Sequence, residues 1–183
     1  DLAVKIVNEI GRVRDADGVP KLLPGINLIF GLFGETKRTF ELNYKKLLQY
    51  LENDFLIRRI NLRQIMVFPG TPLYYLAQRK SIKTDKRLFE HYKYLIRNNV
   101  DNPMLKKVFP SGTIVRNVIP EKREGKVTFG RPLGTYPILI GIPTAFDDPT
   151  DVVIVSHGQR SLTGVRLTEL SNLTLEELSS VPG

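Results

Sequence analysis

Asn27, Asn61 and Arg63 are polar side chains set inside otherwise apolar runs, and their placement is the first sign of chemistry in this sequence. Strand parity puts Asn27, Ile29 and Gly31 on one face and Leu28, Phe30 and Leu32 on the other. In the run from Arg58 to Phe68 the same parity groups Asn61, Arg63 and Ile65 against Ile60 and Leu62. Amides and a guanidinium among aliphatics suit a polar cofactor or substrate, because a buried arginine requires an acidic partner or an anionic ligand. A carboxylate paired with Arg63 is the structural alternative. Glu35, in the turn after the first run, is a candidate acid, base or hydrogen-bond acceptor. A glutamate just ahead of a helix also simply favours the positive helix end.

A second cluster is basic. Lys122, Arg123, Lys126 and Arg131 surround the Glu124-Gly125 turn, with Phe129 among them and Tyr136 just beyond. Cations interleaved with aromatics on a small barrel are how OB-type folds hold single-stranded nucleic acid. Packing of the two aromatics in a core is the plainer reading. Ser156-His157 with Ser161 invites comparison with serine hydrolases, but no glycine-x-serine-x-glycine elbow and no acidic orienter accompany it. His157 reads as a loop histidine. With no cysteine and two histidines, disulfides, thiolate zinc and cysteine-ligated clusters are excluded within these 183 residues, and no metal site is expected.

The elements that must position these residues follow from periodicity. Val4, Val7 and Ile10 mark a helix from Leu2 to about Arg14, ended by Asp15–Pro20. Ile26–Leu32 and Arg58–Phe68 read as strands. Between them Thr36 is a plausible N-cap for a helix reaching Phe55, with Phe40, Tyr44, Leu47, Leu48 and Leu51 on one stripe. Strand, helix, strand at this spacing implies a parallel crossover. Helices are expected over Leu73–Lys80 and Thr84–Asn98, and a further turn follows Pro103. Beyond Pro110, short strands over Thr113–Ile119, Lys126–Phe129, Tyr136–Ile142 and Asp151–Ser156 alternate with glycine and proline turns, the habit of a small β-barrel.

Charge is unevenly spread. Residues 78–131 hold 14 Lys and Arg against 5 Asp and Glu, whereas residues 132–183 hold 2 against 6. A middle segment this basic fits a polyanion such as RNA, or a solvated basic helix. No apolar run approaches the roughly 20 residues of a membrane span, and no secretory signal opens the chain, so no membrane contact and a cytoplasmic location are expected. The first residues read as a helix already under way and the last as a helix–turn boundary. The expectation is a fragment of a longer protein.

Gly31-Leu-Phe-Gly-Glu-Thr36 after one strand and Pro69-Gly-Thr-Pro72 after the next resemble the later part of radical S-adenosylmethionine (radical SAM) enzyme barrels. The likeness is closest to an archaeal branch with added C-terminal modules. Ile29 and Gly31 match the family's glycine-x-isoleucine-x-glycine pattern; Asn27 replaces its first glycine, and Phe33 stands where relatives have proline. The resemblance implies that Ile29, Gly31, Met66 and Val67 line the adenine of S-adenosylmethionine. It also implies that Asn27, Asn61 and Arg63 face substrate or the cofactor's polar groups. The family's 4Fe–4S cluster sits on three cysteines, so its ligands are expected outside this chain; the fragment alone is expected to be inactive, and S-adenosylmethionine and the cluster are assigned to the parent protein rather than to this fragment. The later region is loosely similar to the TRAM-like modules that grip transfer RNA. Leu170–Gly183, with Thr174 and Glu177 as a capping box, resembles the start of a helix–hairpin–helix.

The expected fold is therefore α/β: partial TIM-type (β/α) barrel units over residues 1–80, then a basic helical connector over 81–110. A small, mainly β-barrel-like domain of OB or TRAM type over 111–168 and a terminal helix over 169–183 complete it. The expected function is the C-terminal part of a radical SAM enzyme acting on RNA, in the manner of RNA-modifying enzymes, with Lys122, Arg123, Lys126 and Arg131 on the nucleic acid. The alternative is a non-catalytic nucleic-acid-binding fragment using the connector and the β module. Unpaired edges of an incomplete barrel add an expectation of homo-oligomers.

Overall fold

The structure is a computed structural model that describes residues 1–80 and 85–172. Helix α1 (Leu2–Gly11) opens the chain, and a strap through Asp15–Pro20 leads to strand β1 (Gly25–Phe30). Helix α2 (Lys37–Glu52) then connects to β2 (Arg59–Gln64), which pairs with β1 in parallel, Asn27 opposite Asn61 and Ile29 opposite Arg63. Thr36 caps α2, its N–H donating to Thr39 Oγ1 at 3.2 Å. The predicted stripe is the packed one: Phe40 and Leu47 are buried, and Tyr44, Leu48 and Leu51 lean on the core.

Helix α3 (Pro72–Arg79) starts at Thr71, whose Oγ1 accepts from the Tyr74 N–H. Helix α4 (Lys86–Ile96) starts at Asp85, whose carboxylate accepts from the Leu88 N–H. A π-helical turn (Arg97–Asp101) joins α4 to α5 (Asn102–Val108) without a break. Pro103 has no N–H to give the preceding turn, and the wider π turn lets the helical path pass it.

Strands β3 (Ile114–Glu124), β4 (Val127–Pro132), β5 (Ile140–Ile142), β6 (Thr150–His157) and β7 (Leu162–Arg166) close into a barrel in the order β3-β4-β5-β7-β6. All its pairings are antiparallel except β5 with β7. This is the connectivity of OB-type Greek-key barrels. Its interior is filled by Val115, Val118, Ile140, Ile142, Val152 and Ile154, all fully buried. Gly164 lies on the inside of β7, where a Cβ would stand 2.2 Å from Val152 Cγ1.

The expected partial TIM-type barrel is overturned. β1 and β2 form a two-stranded sheet by themselves, and the sheet that closes is the five-stranded, mainly antiparallel one. A strand–helix–strand crossover is common to every α/β architecture, so its spacing does not specify a ring of parallel strands. The buried core runs without interruption from Leu47, Ile57 and Ile60 through Met104 and Val108 to the barrel interior. The expected terminal helix is corrected where it can be followed, over residues 169–172, which belong to a short 3₁₀ helix (Leu167–Asn172). The capping box at Thr174 and Glu177 and the hairpin opening at Val181–Gly183 lie outside the described residues. Among the described residues no helix is long and apolar enough to cross a membrane.

The strap fixes the N-terminal unit to the barrel. Asp17 accepts from the Arg116 N–H through its carbonyl and from Asn117 Nδ2 through its carboxylate, both at 3.0 Å. Gly18, at φ 78°, brings its Cα so close that a Cβ would meet Ile114 O at 2.1 Å. Thr135 Oγ1 donates to Lys21 O at 2.6 Å from the other side.

Candidate functional site

The face that carries Asn27, Ile29, Asn61 and Arg63 is open. The opposite face, with Ile26, Leu28, Phe30, Ile60 and Leu62, packs on the helices, where Phe30 stacks on Phe40 at 4.5 Å. Asn61 Nδ2 donates to Asn27 Oδ1 at 2.7 Å, so the two amides satisfy each other. Arg63 has no ion pair among the described residues. Ile29 is 52% exposed and Met66 70%, and Val67 beside it is at the surface. Ile29 lies near the carboxyl end of β1, and Met66 and Val67 follow the carboxyl end of its parallel partner β2. Glu35 Oε1 accepts the Gly31 N–H at 2.9 Å. With Gly31 at φ 97°, that bond holds the turn between β1 and α2.

On the barrel, three of the four basic residues are neutralised locally. Lys122 pairs with Glu124 at 2.7 Å, Arg123 with Asp147 at 3.1 Å and Arg131 with Glu121 at 3.0 Å. Lys122 also sits 5.2 Å from the Phe129 ring centre. Lys126 has no partner among the described residues. His157 Nε2 lies 2.6 Å from Phe109 O, so it donates there and bridges β6 to the end of α5. Among the described residues neither a carboxylate nor a serine hydroxyl is hydrogen-bonded to its ring, and they assemble no hydrolase arrangement.

The concave site lies elsewhere, where the two-stranded unit meets the barrel. A cleft of about 400 Å³ is bounded by the start of β2, the π turn and α5, the end of β4, the β4–β5 connection and the β6–β7 turn. Four arginines line it: Arg58, Arg59, Arg131 and Arg160. Its floor is apolar, made by Ile57, Met104, Leu105 and Ile138. Arg58 Nη1 donates to Thr135 O at 2.8 Å, while its Nε is buried without a partner. Arg59 and Arg160 make no ion pair among the described residues. The single lining carboxylate, Asp101, is held by Arg97 across the π turn, and Arg97 also donates to Ile60 O at 2.9 Å.

Like charges crowd here. Arg160 foremost, then burial and the neighbouring Arg58 and Arg63, push the Arg59 guanidinium pKa down. Burial, followed by Arg160 and Arg59, does the same to Arg97. Burial pushes the Tyr136 hydroxyl up to about 12 against the pull of Arg58, Arg160 and Arg59, so it remains a neutral donor at the cleft wall. Unpaired cations held together cost free energy unless an anion joins them.

Of the predicted site residues, Arg131 alone reaches this cleft. The rest comes from segments remote in sequence. One signal did exist: Arg160 is one of 2 basic residues in the acidic stretch 132–183. Among the described residues no cluster of three or more histidines and carboxylates is placed to hold a metal ion.

No family model matches the chain. It is 41% identical over 184 residues to an uncharacterized protein of Archaeoglobus fulgidus, covering 99% of this chain and 34% of that protein. It is 45% identical over 166 residues to an uncharacterized protein of Methanocaldococcus jannaschii, covering 88% of this chain and 30% of that one. The chain thus spans about a third of the length of the curated relatives it matches.

Proposed function

We propose that this chain is a binding module for a phosphate-bearing polyanion, single-stranded RNA, gripped at the arginine cleft. The observation that carries the reading is a concave site with four arginines and one carboxylate, that carboxylate already engaged by Arg97. Guanidinium forks match phosphate oxygens in geometry and charge. The barrel's connectivity supports the same reading. OB-type barrels bind oligonucleotides over their second and third strands and the loop before the fifth. Here that loop carries Arg160, Arg131 is the next-to-last residue of the second strand, and Phe129 lies on the same strand as a stacking surface. The test is RNA binding across a salt series. An oligonucleotide should bind with affinity that falls steeply as salt rises. Replacing Arg59 and Arg160 with glutamine should lower the slope by roughly 2, one per lost phosphate contact. Binding that ignores both salt and the double substitution contradicts the reading.

One observation favours a second reading, in which the chain lends a nucleoside seat to a longer radical SAM enzyme. Ile29 and Met66 present bare side chains at the carboxyl ends of paired parallel strands. The enzyme's cluster takes thiolates, which these 183 residues lack. S-adenosylmethionine should then bind the full chain weakly and lose that binding in Ile29→Asp. No binding to the unaltered chain contradicts it.

A further inference from the structure

We infer that the arginine cleft is built for a nucleotide bearing a terminal phosphomonoester, with the phosphate on Arg59 and Arg160 and the base on the apolar floor. This rests on the polyanion reading above and narrows its ligand.

Two features make the ligand amphipathic. The cleft's cationic rim stands over a floor in which Met104, Leu105 and Ile138 are at most 7% exposed. Inorganic phosphate would make no use of that floor, and an uncharged nucleoside would leave the arginines unanswered. A volume of about 400 Å³ lies toward the small end of ligand pockets and suits one nucleotide unit.

Charge decides which phosphate. An internal phosphodiester carries a single negative charge, whereas a phosphomonoester carries about −1.5 to −2 at neutral pH, with three acceptor oxygens. Arg59 and Arg160 repel one another and neither has an ion pair among the described residues, and the buried Arg58 Nε is a further donor with no acceptor. A dianion answers two guanidiniums and accepts from a third group; a monoanion leaves one charge unbalanced. The π turn is an independent pointer. Such turns concentrate at functional sites, and this one lies in the cleft wall with its Asp101 engaged by Arg97.

The same chemistry is offered by a free mononucleotide and by the phosphorylated end of a strand. The full chain is titrated calorimetrically with adenosine 5′-monophosphate, adenosine 3′-monophosphate, adenosine and orthophosphate. It is also titrated with an oligoadenylate bearing a 5′-phosphate, a 3′-phosphate or neither. At least one mononucleotide should bind about tenfold or more tighter than both adenosine and orthophosphate. That gain should vanish in Arg59→Gln/Arg160→Gln, whose fold is checked by circular dichroism; both side chains are exposed. If a terminal phosphate raises oligoadenylate affinity by a similar factor, the ligand is a strand end; if it does not, a free mononucleotide. Equal affinity for phosphorylated and unphosphorylated probes overturns the inference. Should the unphosphorylated oligomer then still bind in a salt-sensitive manner that needs Arg59 and Arg160, the polyanion reading survives alone.

Discussion

Asn8 shows how one side chain can hold a junction. It is 3% exposed on α1, and it both donates to Leu56 O at 3.1 Å and accepts from the Leu56 N–H at 2.7 Å. Asn8→Ala orphans two backbone groups just ahead of β2, each worth about 1–3 kcal/mol when left buried and unpaired. Chemical denaturation should report a loss in that range or above, and a loss within experimental error contradicts the assignment. Asp54 is a weaker tie. It sits at φ 57° and joins Arg12 at 2.9 Å to Lys107 at 3.0 Å. Hydrogen bonds from Lys107 and then Arg12 hold its carboxyl below the usual range. A depressed folded pKa stabilises above the unfolded value, about 3.9, and the gain is lost as pH falls through the folded one. Because the pairs are solvent-screened, Asp54→Asn should cost at most about 1 kcal/mol per pair at neutral pH. The difference from the unaltered chain should close in acid. A gap that persists at low pH points to the turn rather than the charges.

Elements differ in how plainly the sequence announces them. The stripe from Phe40 to Leu51 repeats at helical spacing, and α2 packs that stripe as read. Parity separates open from covered residues in β1 as far as Phe30, because alternation is a property of the backbone itself; past the strand's end it reverses, with Gly31 buried and Leu32 50% exposed. What β1, α2 and β2 belong to is not legible in their spacing, and the partial parallel barrel it suggests is wrong: the crossover looks alike in a complete parallel barrel and in an isolated pair. β7 carries little strand signal, because Leu162-Thr-Gly-Val-Arg166 is short, with a glycine at its centre. The cleft was illegible for a different reason. Arg58 and Arg59, Asp101, Arg131 and Arg160 come from four remote segments, and each alone looks like ordinary surface charge. The π turn yields the prediction at this scale. The Arg97–Asp101 side chains are 11% and 13% exposed, so Asp101→Asn leaves a nearly buried guanidinium without its carboxylate. Stability should fall by about 3 kcal/mol or more. RNA affinity should rise in parallel, since the one negative lining group is gone. Weaker RNA binding by a folded Asp101→Asn protein contradicts the electrostatic account.

For the whole molecule, the strap and the shared core make the α/β unit and the barrel one body, and the cleft exists because of their junction. The same body displays apolar surface: Leu2, Ile6 and Ile10 on α1, and Ile29, Leu32, Met66 and Phe68 around the two-stranded sheet. Both outer edges of that sheet are unpaired among the described residues. Sedimentation should therefore show species heavier than the 20.8 kDa monomer, growing with concentration and with added sulfate. Monomer alone at every concentration contradicts this. Salt should act oppositely on RNA, since counterion release drives that contact. The most direct measurement of the central claim is the position of a heavy oxyanion. Crystals soaked in tungstate should show anomalous density between Arg59 and Arg160. Density confined to the Lys122 and Lys126 face of the barrel, with none in the cleft, would contradict the account.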